Sequence, residues 1–115
     1  MRRAFVCLVA ALLLLAGACT TTTTPTASGP VTIAVTIAKG KVSPSGAKYD
    51  VSKGSTVTIN VTSDSADIIH VHGYEIEKDV VAGTPLVIAF TADQTGSFDV
   101  ETHVIEATIA TLNVR

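Results

Sequence analysis

Residues 31–38 have the sequence VTIAVTIA, in which valine or isoleucine alternates with threonine or alanine. Side chains two positions apart lie on the same face of a β-strand, so this segment is predicted to be a strand with one apolar face. Residues 57–62, VTINVT, repeat the alternation, and residues 86–91, LVIAFT, form an almost wholly apolar run after a Gly-Thr-Pro turn. No window of the remaining chain after residue 30 has a convincing helical period.

The spacing of these runs predicts the fold. Glycine, proline, aspartate and serine separate them at intervals of about ten residues, which is typical of sandwiches and barrels. Residues 31–115 are enough to bury a single hydrophobic core, although a domain of this size buries little more apolar surface than stable folding needs. We therefore predict one all-β domain over residues 31–115, a single Greek-key β-sandwich of seven or eight strands.

Residues 1–18 have the features of a secretory signal peptide. A positively charged start, MRR, precedes an almost unbroken apolar run over residues 4–16, and two small residues then precede Cys19. The run is too short to span a bilayer comfortably, because a transmembrane helix needs about 20 apolar residues. Residues 1–18 are therefore predicted to be removed after export.

Residues 15–19, LAGAC, resemble the bacterial lipobox, in which the cysteine is lipidated and becomes the mature N-terminus. The resemblance implies that Cys19 carries the lipid and that the protein is anchored to the membrane on its extracytoplasmic side. Residues 20–30, TTTTTPTASGP, contain almost nothing that could be buried. Such a segment cannot offset the entropy cost of ordering, so residues 19–30 are predicted to be the lipidated cysteine and a disordered Thr/Pro-rich tether.

The charge and thiol content of the mature chain exclude two classes of function. The eight lysines and arginines less Arg2 and Arg3 leave six, against ten aspartates and glutamates, a formal charge of −4. An acidic surface of this kind gives no support to nucleic-acid binding, which needs clustered lysine and arginine. The two cysteines are Cys7, in the signal peptide, and Cys19. The folded domain therefore has neither a disulfide nor a thiolate metal site.

Five segments of the domain carry a family resemblance. They are TIAKGKVSP (36–44), YDVSKGSTVTIN (49–60), SADIIHVHGYEI (65–76), VAGTPLVIAF (81–90) and GSFDV (96–100). Together they resemble the cupredoxins, of the plastocyanin and cytochrome oxidase subunit II type. The third segment resembles the stretch that carries the first copper-ligating histidine, and the last resembles the lead-in to the ligand loop. The resemblance implies a cupredoxin-like fold.

The same comparison shows that the ligands of a blue-copper centre are missing. Thr102 stands where the family has its cysteine, and Thr108 stands where it has its axial methionine. Ile105 occupies the position of the second histidine, while His103 is close by but out of register. Electron transfer by a blue-copper site depends on the thiolate, so the domain is not predicted to be a blue-copper electron carrier.

The three histidines all lie in segments that resemble the copper end of the family. His70 and His72 are two residues apart on a predicted strand, so their side chains lie on one face. The spacing from Asp67 favours His70 as the family ligand, whereas the spacing to Ile76 favours His72, and the choice stays open. His103 belongs to the neighbouring ligand loop.

These histidines, with Glu101 two residues before His103, are the candidate metal ligands. Two or three imidazoles and a carboxylate can hold Cu(II) or Zn(II). We expect His70, His72 and His103 to converge at one end of the sandwich. In the alternative interpretation, the histidines are neutral residues of the core or rim with backbone hydrogen bonds, and Glu101 is an ordinary solvated residue.

The sequence therefore predicts a membrane-tethered, cupredoxin-like binding module of the bacterial envelope, with a copper ion held by histidines only as the candidate cofactor. The alternative is a metal-free structural or protein-interaction module. The expected partners are the membrane, through the lipid anchor, and an envelope protein or a metal ion. No serine has a credible histidine and aspartate partnership, and no phosphate-binding loop occurs, so no catalytic residue and no enzyme activity are predicted.

Overall fold

The computed structural model describes residues 29–115. The predicted signal peptide, the lipidation of Cys19 and most of the predicted tether lie outside the described residues. Within residues 29–115 the regular structure is entirely β, and this part of the chain contains no membrane-spanning helix.

The described residues contain nine strands, and the predicted all-β sandwich is confirmed. They are β1 (Val31–Ala38), β2 (Lys41–Ser43), β3 (Ala47–Val51), β4 (Thr56–Ser63), β5 (Asp67–Val71), β6 (Ile76–Val80), β7 (Leu86–Thr91), β8 (Gly96–Thr102) and β9 (Thr108–Val114). The sequence predicts seven or eight strands, fewer than the nine observed, and β2, with three residues, is the shortest of them. It forms because Lys39 and Gly40 both have positive φ, as a two-residue hairpin turn requires, and bring β2 back onto β1.

The strands form two mixed sheets that pack around one core. Their orders are β2-β1-β4-β7 and β3-β9-β8-β5-β6. Most neighbours are antiparallel, but β1 pairs with β4 and β3 pairs with β9 in parallel. The alternation predicted for β1 is present, since Ile33, Val35 and Ile37 are buried while the residues between them are exposed. Burial of such aliphatic side chains from both sheets supplies the main favourable term in folding.

The same alternation in β5 determines where the histidines lie. Ile69 and Val71 are buried in the core, so His70 lies on the outer face of the five-stranded sheet. In the sheet register His70 is opposite Glu77 of β6 on one side and Glu101 of β8 on the other. The outer face of the sheet therefore brings one imidazole between two carboxylates.

Candidate metal centre

His70 is at the centre of a three-residue cluster on this outer face. Its Nδ1 lies 3.3 Å from Nε2 of His103 and 3.8 Å from Oε1 of Glu77. One ligand atom from each of His70, Glu77 and His103 can be chosen so that all three lie within 4.8 Å of one another. We call these three residues the His70 cluster. Its members come from β5, β6 and the loop after β8.

The other ring nitrogen of His70, Nε2, is buried and makes no hydrogen bond within the described residues. The His70 side chain is only 12% exposed. The nearest carboxylate is that of Glu75, whose Oε2 lies 3.8 Å away, beyond hydrogen-bond distance. A buried polar atom without a hydrogen-bond partner lowers the stability of the fold by about 1–3 kcal/mol. The His70 ring therefore has one hydrogen-bonding atom whose burial is not compensated.

His72 and Glu101 form a separate pair beside the His70 cluster. The Nε2 of His72 lies 2.8 Å from Oε2 of Glu101, and Oε1 of Glu101 accepts a hydrogen bond of 3.3 Å from the Thr108 hydroxyl. An ionised carboxylate only accepts hydrogen bonds, so this contact places the hydrogen of His72 on Nε2. The rings of His70 and His72 are 4.0 Å apart between centroids and tilted by 39°. The pair is therefore in contact with the cluster, but its carboxylate is engaged by His72.

Asp67 holds the loop that carries His103. The Asp67 side chain is buried, and its Oδ1 accepts hydrogen bonds from the backbone N–H groups of His103, at 3.0 Å, and Val104, at 2.9 Å. Its Oδ2 accepts a longer bond, of 3.4 Å, from the N–H of Ile105. Because Asp67 begins β5, it fixes the loop of His103 to the strand that carries His70.

Thr102, the residue before the loop, joins the two ends of the loop by its hydrogen bonds to Ala107. Its hydroxyl accepts a hydrogen bond of 3.0 Å from the N–H of Ala107 and lies 3.3 Å from the Ala107 carbonyl, to which it donates. The Thr102 N–H also donates to that carbonyl at 2.9 Å. With Asp67 at one side and Thr102 at the other, the loop of residues 103–107 has a defined shape, and His103 faces His70.

Four glutamates give this face a negative charge. Glu75 and Glu77 each lie 3.8 Å from a nitrogen of His70, and Glu101 bonds to His72. Glu106 lines an open depression together with Glu101 and His103. A surface with several carboxylates close together raises the local concentration of cations.

The structure brings together the three histidines that the sequence singled out. His70 and His72 lie beside the loop of residues 103–107, which carries His103, and the three rings meet on the outer side of the five-stranded sheet and not between the two sheets. Glu101 is adjacent, as expected, but bonds to His72 and Thr108. Glu77 was missed, although a signal existed: residues 70 and 77 are equally distant from the centre of the turn between β5 and β6, so hairpin pairing puts them side by side.

Comparisons with known proteins give matches only at the level of structure. No family model matches the sequence, and no curated protein does. The multicopper oxidase Fet3p, which functions in iron import, matches with a TM-score of 0.61 at 14% identity, over 75% of this chain and 23% of Fet3p. A copper binding protein solved by NMR in its apo form matches with a TM-score of 0.59 at 19% identity, over 76% of this chain and 89% of that protein. A heme-copper terminal oxidase matches with a TM-score of 0.56 at 18% identity, over 74% of this chain and 65% of the oxidase chain.

These neighbours are copper proteins, and the resemblance inferred from the sequence is confirmed for the fold. The fold is cupredoxin-like. The cupredoxin-like domain spans only 23% of Fet3p, so the oxidase activity of that larger protein is not carried over with the architecture. At identities below 20%, the similarity shows the fold alone, and the chemistry has to be argued from the side chains.

The sequence resemblance aligns Thr102, Thr108 and Ile105 with the family's cysteine, methionine and second histidine, and in this structure the three residues have other roles. Thr102 is buried and uses its hydroxyl to close the loop. Thr108 donates its hydroxyl to Glu101, and Ile105 packs against the core. These three positions therefore supply packing and hydrogen bonds, while imidazole and carboxylate donors lie together on the outer face.

Proposed function

We propose that this protein is a membrane-tethered binding module of the bacterial envelope that holds Cu(II) through histidine and glutamate, without a thiolate. The observation that carries the proposal is the His70 cluster, in which two imidazole nitrogens lie 3.3 Å apart with a carboxylate beside them. Copper is favoured as the metal because the domain shares its fold with copper proteins, one of them described as a copper binding protein.

The donor atoms fit this metal in chemistry and in spacing. Imidazole suits copper and zinc, and a carboxylate can complete the ligand set. Two donors about 2.0–2.1 Å from a metal lie about 2.9 Å apart at the right angle of a tetragonal Cu(II) site and about 3.3 Å apart in a tetrahedral Zn(II) site. The 3.3 Å between the His70 and His103 nitrogens equals the second spacing and exceeds the first by about 0.4 Å, which a small side-chain movement can close. A bound Cu(II) would neutralise part of the negative charge of Glu75, Glu77, Glu101 and Glu106. Because residues 29–115 contain neither cysteine nor methionine, such a site lacks the intense visible absorption that thiolate-to-copper charge transfer produces.

The proposal predicts that His70→Ala and His103→Ala each lower the affinity for Cu(II) by about a hundredfold or more. Loss of a residue that only supports a ligand costs 10–100-fold, and loss of a ligand should reach or exceed the top of that range. Isothermal titration with Cu(II) measures the affinity. His72→Ala is the matched control, because His72 lies on the same face but is paired with Glu101, and its affinity should stay much closer to that of the wild type. Equal affinity in all four proteins would reduce binding to unspecific surface carboxylates.

The tether is proposed from the order of features in the first 30 residues. A charged start, an apolar run, a lipobox-like LAGAC and a Thr/Pro-rich stretch support lipidation at Cys19. Cys19→Ser should then transfer the protein from the membrane fraction to the soluble fraction, or leave it unprocessed. Fractionation combined with intact-mass measurement distinguishes these results, and Cys7→Ser is the control that should change neither. A wild-type protein without lipid mass at residue 19 would contradict the anchor.

A metal-free interaction module is the second candidate. It is favoured by the hydrogen bonds that the imidazoles already make, 2.8 Å from His72 to Glu101 and 3.3 Å between His70 and His103. Metal analysis of protein purified without a histidine tag separates the two candidates, because an interaction module should contain no stoichiometric copper or zinc. We propose no catalytic activity for the domain.

A further inference from the structure

One nitrogen of the His70 cluster remains unexplained by the proposed metal site. The Nδ1 of His70 faces His103 and Glu77, and a metal held by the cluster would take the lone pair of this atom. A neutral imidazole has one lone pair and one N–H. The hydrogen of a metal-bound His70 must therefore be on Nε2, which is buried and has no hydrogen-bond partner in residues 29–115.

The carboxylate of Glu75 is close enough to become the hydrogen-bond acceptor for the Nε2–H of His70. Its Oε2 lies 3.8 Å from Nε2 of His70, about 1 Å too far for a hydrogen bond. The Glu75 side chain is 78% exposed, so a small rotation about its side-chain bonds can close this gap without repacking the core. Histidines that ligate metals commonly donate their second N–H to a carboxylate, which fixes the tautomer and orients the ring.

The backbone holds Glu75 in this position. It is the last residue of the turn between β5 and β6 and has a φ of 52°, a conformation that residues other than glycine, asparagine and aspartate seldom adopt. The neighbouring Tyr74 anchors the turn, with its ring 4.8 Å from that of Phe90 and 4.9 Å from that of Phe98. Its hydroxyl donates a hydrogen bond of 3.0 Å to the carbonyl of Gln94. The carboxylate is thus presented to His70 by a fixed turn.

We propose that Glu75 is a positioning residue for the metal site: it accepts the Nε2–H of His70 when a divalent cation occupies Nδ1. This inference rests on the proposed function and adds one residue to it. Glu75 does not touch the metal. It selects the His70 tautomer that leaves Nδ1 free to coordinate, and it removes the cost of an unpaired N–H in a buried position.

The test uses the full chain, purified in detergent, with Zn(II) as a diamagnetic probe of the Cu(II) site. Glu75→Ala should lower the Zn(II) affinity by about 10–100-fold in a competition titration, as loss of such supporting carboxylates does. Glu106→Ala is the matched control, because Glu106 also has a positive φ, of 56°, and the same charge on the same face, but lies beside His103. Glu75→Gln should restore most of the affinity, since the amide oxygen can accept the same hydrogen bond.

A second measurement reports on the tautomer itself. In nitrogen-correlated NMR spectra of the zinc-loaded protein, we expect His70 with metal on Nδ1 and hydrogen on Nε2. Coordination through Nε2, or equal losses of affinity in Glu75→Ala and Glu106→Ala, would overturn the role of Glu75 and leave the metal site intact. If His70→Ala binds Zn(II) as tightly as the wild type, the site itself is wrong, so the two failures are distinguishable.

Discussion

Replacing Asp67 with alanine should lower the free energy of unfolding by at least about 3 kcal/mol, because hydrogen bonds to a charged group are worth about 1.5–3 kcal/mol each and several are lost together. The buried carboxylate of Asp67 accepts N–H groups from His103, Val104 and Ile105, and also that of Ile68 at 2.7 Å. Urea denaturation monitored by circular dichroism measures the change. The loop should also lose its defined position against β5, so the metal affinity should fall even where the variant is fully folded.

Asp64→Ala is the matched control for this prediction. Asp64 is exposed and accepts one backbone N–H, from Lys39 at 2.9 Å, in the turn after β1. Water can replace that acceptor, so the expected loss is below about 1 kcal/mol. Equal losses for Asp64→Ala and Asp67→Ala would show that Asp67 does not anchor the loop. A destabilised Asp67→Ala with unchanged metal affinity would show that the loop position is fixed by other contacts.

The sequence predicts the sheets better than it predicts the site. Alternation of apolar and polar residues has the same period as a strand, so β1 and the facing of His70 and His72 follow from a local pattern. Residues 31–115 also contain enough turn signals to predict a sandwich. The predicted count of seven or eight strands falls short of the nine observed, and β2, with three residues and one partly buried side chain, is too short to show an alternating pattern.

The loop of residues 103–107 could not be predicted in the same way. Its shape depends on the carboxylate of Asp67, which lies 36 residues before His103 in the chain. No local sequence pattern predicts a contact between residues so far apart. The register of β8 also shifts at a β-bulge between Val100 and Glu101, which changes how the following residues pair with β9. The two-residue spacing from His103 predicted that Glu101 lies beside the histidines, but it did not predict that Glu101 bonds to His72 and Thr108.

Gly73→Ala, which adds one methyl group to the turn beside the site, should strongly lower the free energy of unfolding. Gly73 has a φ of 78°, which costs an alanine about 1–2 kcal/mol, and a Cβ at this position would overlap the ring of Phe98. Overpacking of this kind adds about 1–3 kcal/mol, so the free energy of unfolding should fall by about 2–5 kcal/mol in total. Urea denaturation again provides the measurement.

Two controls separate the backbone cost from the overlap. Gly83→Ala introduces the same methyl group at a φ of 76° with nothing within 4 Å, so it should cost only the backbone part, about 1–2 kcal/mol. In a Phe98→Ala background, Gly73→Ala should likewise cost no more than Gly83→Ala, because the ring that it overlaps is gone. If Gly73→Ala costs no more than Gly83→Ala in the wild-type background, Phe98 yields without strain. In that case the turn that carries His72 and Glu75 is less rigid than its packing indicates, and the positioning of Glu75 over His70 loses its support.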